Sequence, residues 1–454
     1  MASKELARSG TAADELVATL EANRRGERLG VFSVCSANRH VLQASMQIAR
    51  DRQCLLLIES TSNQVNQFGG YTGQTPRDFV QFVRNLAAEE RLPFDRILLG
   101  GDHLGPHVWR KEPSAAAMQK ACELVRDSVL AGYTKIHLDA SMHCADDPGD
   151  RHRPLADEVV STRAAAMCAA AEAAWQQLPA GTAKPFYVIG TEVPIPGGEL
   201  GEGAAPAVTK PADLQRTIEI AGDVFASEGL QDAWQRVIAI VVQPGVEFGD
   251  NSVFAYNAGR AAQLAYFVPA GWHGVYEAHS TDYQTAAALE DLVRDHFAIL
   301  KVGPWLTFAF REAVFALQAM ENEIIAGRSG VTPSHIAEEL ERAMLANPQY
   351  WKEYYRGDEQ ALRLARKYSY SDRCRYYWTE PAVAQALDRL CANLAAHPAP
   401  ASLLSQFLPR QAEQVREGAL ANAPHALIHS KIHEVLSVYA GACGSHAAGD
   451  IHAQ

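Results

Sequence analysis

What this chain lacks closes off several classes of protein. Close cysteine pairs are missing: Cys35, Cys54, Cys122, Cys144, Cys168, Cys374, Cys391 and Cys443 are scattered over 454 residues. That excludes a disulfide scaffold, a zinc ribbon and a paired-thiol redox motif. A basic surplus is missing too, since the formal charge is −12 and the pI is near 5.7; no nucleic-acid partner is expected, because phosphate backbones need a basic surface. No apolar run reaches the length of a membrane span, and Met1-Ala2-Ser3-Lys4-Glu5 carries no signal-peptide core. A cytoplasmic protein with no membrane partner is therefore expected. Finally, the first apolar run is followed by Ser33-Val34-Cys35-Ser36-Ala37-Asn38 where a dinucleotide-binding sheet would place a glycine-rich phosphate turn, so that fold has no support.

What is present is an alternation. Short apolar runs at 31–35, 55–58, 97–100, 135–139, 186–190, 237–242, 274–278 and 298–302 are separated by Ala-rich segments of helical period such as 114–131 and 159–177. Repeated βα units build a parallel sheet, and about eight of them close a (β/α)8 TIM barrel. After about 313 the strand signal stops. Residues 334–347 and 380–394 read as amphipathic helices, and the aromatic stretches 350–355 and 376–378 read as surfaces that pack an extension onto the barrel, a subunit interface and a lid being the alternatives. The expected organisation is an α/β barrel over 1–312, a helical C-terminal extension over 313–440 and a disordered tail over 441–454.

Several of the apolar runs end in carboxylates or imidazoles, the most conspicuous in Gly100-Gly101-Asp102-His103. Barrel active sites lie at the C-terminal ends of the strands, so Glu59, Asp102, His103, Asp139, Glu192, Gln243, Glu277, His279 and Lys301 form one candidate list. Alternation puts His137 and Asp139 on one face of their strand, and Glu277 and His279 on one face of theirs; two such pairs ending separate strands suggest convergent ligands. His103 and His279 with a carboxylate such as Glu192 suit Zn²⁺, whereas Mn²⁺ or Mg²⁺ fits better if Asp139 and Glu192 both ligate. Asp102, Asp139 and Glu277 are then the candidates for acid/base work. Each residue taken alone also reads as an ordinary hydrogen-bonded structural group. The amide- and glycine-rich loop 60–76, with Asn63, reads either as a source of donors for sugar hydroxyls or phosphate or as a plain Ω-loop. Lys301 and Arg311 stand where barrel enzymes often bind phosphate, Lys301 being open also to Schiff-base chemistry, and Glu59 and Gln243 complete the expected substrate contacts. Residues 369–373, Ser-Tyr-Ser-Asp-Arg, read as a helix N-cap.

Taken together, 60–76, 100–106, 135–142, 189–198, 241–248, 276–285 and 297–304, with Tyr368-Ser369-Tyr370-Ser371-Asp372-Arg373-Cys374-Arg375-Tyr376-Tyr377-Trp378, closely resemble the Z-type subunit family of tagatose bisphosphate aldolase (GatZ/KbaZ). The similarity runs from about residue 28 to about residue 440; His107 and His143 depart from the pattern and add imidazoles near the mouth. The resemblance implies a class II aldolase-type barrel acting on sugar phosphates. It also implies one of two roles: a C4 epimerase of ketohexoses or their phosphates, or a non-catalytic partner that stabilises a separate class II aldolase subunit. A homo-oligomer is expected as well. Elementary energetics favours the enzyme, because unpaired charges gathered at a barrel mouth cost stability unless a metal and a substrate use them.

Overall fold

A computed structural model of the chain describes residues 11–151, 154–190, 206–267, 269 and 271–445. Eight parallel strands close a barrel: β1 (Val31–Val34), β2 (Leu56–Thr61), β3 (Ile97–Leu104), β4 (Lys135–Leu138), β5 (Phe186–Ile189), β6 (Val237–Val241), β9 (Val275–Ala278) and β10 (Phe297–Val302), with β1 paired to β10. A small antiparallel hairpin, β7 (Glu247–Phe248) and β8 (Val253–Phe254), follows β6. All eight expected runs are barrel strands. The main difference is β3, which continues past the expected end at 100 to Leu104, because Ser60 and Thr61 of β2 keep pairing with Gly101 and Asp102.

The barrel interior is layered. Its lower part is apolar, with Val31, Leu55, Leu57, Leu98, Val188, Val241, Val275 and Ile299 in one cluster that Leu16 and Leu20 of the helix Ala12–Arg24 close from below. Above it the inward positions turn charged: Glu59, Lys135, Glu277 and Lys301 are all buried. Gly100 makes this layer possible, since a Cβ there would stand 2.6 Å from Glu59 Oε1. Gly105 is needed for backbone approach, a Cβ there falling 1.6 Å from the carbonyl oxygen of Asp139.

The last strand leads into the long helix Pro304–Ile325, within which residue 312 falls. The helices that follow pack on the barrel's outer face. One continuous core joins Phe32, Val41 and Leu300 of the barrel region to Tyr377, Leu390 and Leu436 of the extension. The expected helices 334–347 and 380–394 occur as Ile336–Ala346 and Pro381–Ala396. The last helix runs over Pro424–Ala442, into the segment read as a tail; residues 446–454 lie outside the described residues. Among the described residues no helix is long and apolar enough to cross a membrane.

Candidate active site

Inside the barrel a layer of alternating charges lies under the mouth. Lys135 Nζ stands 2.7 Å from Glu59 Oε1 and 2.8 Å from Glu277 Oε2, with both partners fully buried. Lys301 Nζ donates to Glu59 Oε2 and lies 2.9 Å from Asp102 Oδ1 and 3.6 Å from Glu277 Oε1. Ser33 Oγ also donates to Glu59, at 2.5 Å. Burial alone would lower the Lys301 pKa, but Asp102, Cys35, Glu277 and Glu59 overcome it and hold the ammonium charged. A charged amine held between carboxylates is a poor nucleophile, so this pairing speaks against a Schiff base at Lys301. With Asp139 set against His103, the three carboxylates of Glu59, Asp102 and Glu277 still outnumber the two ammonium groups of Lys135 and Lys301 in a buried site, which favours a further cation.

Three imidazoles meet above this layer. The His103 ring is 5.2 Å from that of His137 and 4.9 Å from that of His279, and His137 is 5.2 Å from His279. His103 sits at a register break between Gly101 and Leu104, with a left-handed φ of +49°. Such a bulge re-aims a side chain at some cost in strain. Here it turns Nδ1 onto Asp139 Oδ2 at 2.8 Å, while Asp139 Oδ1 accepts from the Ser141 amide at 3.1 Å and from its hydroxyl at 2.6 Å. Burial works against the charge on both partners, yet the pairing prevails: the Asp139 carboxyl is held far below the usual range, and the His103 pKa is raised by Asp102 and Asp139. His279 differs. Burial lowers its pKa to about 4 despite a 2.9 Å contact from Nε2 to Glu277 Oε1.

Asp102, His137, Glu277 and His279 each bring one ligand atom within 4.8 Å of the others. His137 Nδ1 is 3.1 Å from Asp102 Oδ1 and 3.2 Å from the His103 amide, whereas its Nε2 is buried without a hydrogen-bond partner. An orphaned imidazole nitrogen within a set of nitrogen and carboxylate oxygen donors fits a divalent cation such as Zn²⁺ or Mn²⁺.

The expected residues are thus sorted by position. Asp102, Glu277 and His279 join the ligand cluster, while His103 stands outside it, paired with Asp139. Asn63 lines the mouth cavity, as do Asp102, His103, His279 and Lys301; Glu59 lies beneath, engaged by both lysines. Gln243 caps its own turn, its Oε1 accepting from the amides of Gly245 at 2.8 Å and Val246 at 3.1 Å. Arg311 lies away from the mouth, 1% exposed, and donates from Nε to Asp372 Oδ1 at 2.8 Å. Its partner Asp372 offers no side-chain cap to the following 3-10 turn, so the expected N-cap there is replaced by this ion pair. Glu192 falls outside the described residues. Of the departures, the His107 ring stands 6.2 Å from that of His103, its pKa lowered by burial to about 4. The shared face of His137 and Asp139 points to converging ligands in the sequence, but His137 is not in the expected metal set of His103, Glu192 and His279; the structure brings it into the donor cluster, and Lys135 enters as a counter-charge that the sequence does not mark. Arg375 and Tyr376 of the extension also line the cavity; the aromatic stretch 376–378 is conspicuous in the sequence, but nothing local places it at the mouth.

The sequence matches the family described as D-tagatose-1,6-bisphosphate aldolase subunit GatZ/KbaZ-like over residues 16–444. It is 48% identical to the D-tagatose-1,6-bisphosphate aldolase subunit GatZ of Salmonella typhimurium over 427 residues, 93% of this chain and 97% of that one. The GatZ of Klebsiella pneumoniae is also 48% identical, over 94% of this chain and 98% of its own. Among solved structures, one described as a probable tagatose 6 phosphate kinase from Sinorhizobium meliloti 1021 superposes with a TM-score of 0.82 at 42% identity, covering 91% of this chain and all (100%) of that one. This chain belongs to the D-tagatose-1,6-bisphosphate aldolase subunit GatZ/KbaZ-like family.

Proposed function

We propose that the barrel mouth is a working site that inverts C4 of a ketohexose phosphate, interconverting D-tagatose 6-phosphate and D-fructose 6-phosphate. The observation that carries this reading is the buried set Asp102, His137, Glu277 and His279 beside the His103–Asp139 pair, all below one cavity. Those four residues would hold a divalent cation, which supplies Lewis-acid polarisation of the C2 carbonyl when bound. C4 is not adjacent to that carbonyl, so its C–H is weakly acidic and direct proton abstraction is a poor route. Breaking C3–C4 avoids the difficulty. Asp139 fixes the proton of His103 on Nδ1 and leaves Nε2 to take the C4 hydroxyl proton. The C3–C4 electron pair then passes to a three-carbon enediolate while C4 becomes an aldehyde. Rotation of the retained aldehyde, re-formation of the bond on its other face and return of the proton from His103 complete the inversion.

The test uses the purified chain alone with each sugar phosphate and Zn²⁺, Mn²⁺ or Mg²⁺. Interconversion, stopped by a chelator and leaving C4 unlabelled in deuterated water, is the expected result. Deuterium at C4 would exclude the C3–C4 route. A second reading is favoured by the relatives' names, which say aldolase subunit and fit it better than they fit an epimerase: a non-catalytic subunit that stabilises and activates a separate class II tagatose-bisphosphate aldolase. No turnover with metal supplied, together with activation of a co-purified aldolase subunit, would select it.

A further inference from the structure

A phosphorylated substrate needs a cation, and the places where a barrel usually provides one are taken. The amides of Gly303 and Trp305, at the start of the helix after β10, both donate to Asp282 Oδ1, at 3.0 and 2.8 Å. That helix end already holds a carboxylate. The helix after β1 is likewise closed, since Asn38 Oδ1 accepts from His40 at 3.0 Å and Val41 at 3.2 Å. Lys301 lines the cavity but is committed to Glu59 and Asp102, and Arg311 is committed to Asp372. Arg375 lines the same cavity and, among the described residues, forms no ion pair. Backbone carbonyls hold it in place: Nη1 donates to the carbonyl oxygens of Ser371 and, at 3.2 Å, Asp372, and Nη2 donates to Tyr376 Oη at 2.9 Å. Of the five N–H donors of a guanidinium, the Nε–H and one Nη2–H remain, the pair that forms a side-on fork for an oxyanion. The Tyr376 ring is braced by Tyr71 at 4.7 Å, and the amides of Asn63 and Gln64 add neutral donors to the same wall.

We propose that Arg375, carried by the C-terminal extension, is the phosphate anchor of the mouth cavity, so that the extension completes the substrate site and selects phosphorylated over free ketohexoses. This rests on the mouth being a substrate site, as read above. The carboxylate-rich floor repels a phosphate dianion, so the substrate enters with its sugar carbons toward Asp102 and His279 and its phosphate toward Arg375. Calorimetric titration of the metal-supplemented full chain with fructose 6-phosphate and with fructose tests it. The wild-type protein should prefer the phosphate ester, and inorganic phosphate should compete with it. Arg375→Gln should weaken fructose 6-phosphate binding by roughly 10- to 100-fold, the worth of a charge-assisted hydrogen-bond pair, and fructose binding far less, so that the preference for the phosphate ester is lost. Arg375→Lys, which keeps the charge and loses the fork, should fall between them and covers the case in which the glutamine variant fails to fold. Undiminished fructose 6-phosphate binding in either folded variant would overturn the role of Arg375 and leave the site reading standing. Failure of the wild-type chain to bind either ligand would overturn both.

Discussion

His137 is the residue whose replacement separates the ligand cluster from the acid/base pair. Its orphaned Nε2 and its place within 4.8 Å of the other donors predict that His137→Ala and His279→Ala lose bound divalent metal. His103→Ala should instead keep the metal and lose turnover, because His103 adjoins the cluster without belonging to its four donors and its Nδ1 is committed to Asp139. Loss of a positioned base lowers kcat by about 10²- to 10⁴-fold. Elemental analysis of the three variants beside their turnover checks this; metal loss in His103→Ala alone would return His103 to the ligand set. Gly100→Ala belongs to the same scale. Its methyl would meet a Glu59 carboxylate that Lys135 and Lys301 hold in place, so overpacking should cost about 1–3 kcal/mol, read as a lower urea midpoint.

Between elements, the helix Arg39–Arg52 and the last helix Pro424–Ala442 meet through neutral histidines. His40 Nδ1 lies 3.3 Å from His429 Nε2, Gln47 donates to His429 Nδ1 at 3.1 Å, and His40 stacks on Phe310. Burial first, then the neighbouring histidines, lowers the pKa of His40 to about 3 and of His429 to about 4. Other groups facing this contact are His425, His433 and Arg39; Arg50, Arg52 and Asp51 lie beyond, around His433. The unfolded chain binds protons near pH 6.5, so between there and the folded values it holds more protons than the native state. Stability from this contact is therefore fully present above about pH 6.5 and lost as pH falls toward 4, by on the order of 3 kcal/mol for such a shift. Urea unfolding from pH 4 to 8 should show that slope, reduced in His429→Gln. An unchanged slope in both His429→Gln and His40→Gln would place the acid sensitivity elsewhere.

At the scale of the whole molecule, barrel and extension share one core, and a buried ion pair ties them. Arg311, on the helix Pro304–Ile325, meets Asp372 at 2.8 Å, and Thr307 donates to the same carboxylate at 2.7 Å. Removing one member of such a pair leaves a buried charge alone, which costs about 3–5 kcal/mol, whereas replacing both by apolar groups is often neutral. Asp372→Ala should lower the melting temperature in a single cooperative transition, and Arg311→Met combined with Asp372→Ala should recover much of it. Separate transitions for barrel and extension would contradict the shared core.

The order of elements was legible in the residues because apolar runs and helical periods are local: every barrel strand, and Asp102, Asp139, Glu277 and His279 at strand ends, could be read from spacing alone. β3 was read short, since Gly100-Gly101-Asp102-His103 looks like a loop until Ser60 and Thr61 of β2 supply its hydrogen-bond partners. Lys135 stands inside an apolar run, where one polar residue reads as noise until barrel closure sets it opposite Glu59; His137 is marked by the face it shares with Asp139, but its place beside Asp102 also needs the closed barrel. The aim of His103 depends on a left-handed residue at a bulge, which composition does not encode. For the same reason Arg311, expected among the substrate contacts, is paired with Asp372, while Arg375, for which no role was expected, lines the cavity. Which cation faces the cavity and which is spent on an ion pair is decided by contacts between segments far apart in the chain, and those exist only once the extension has packed against the barrel.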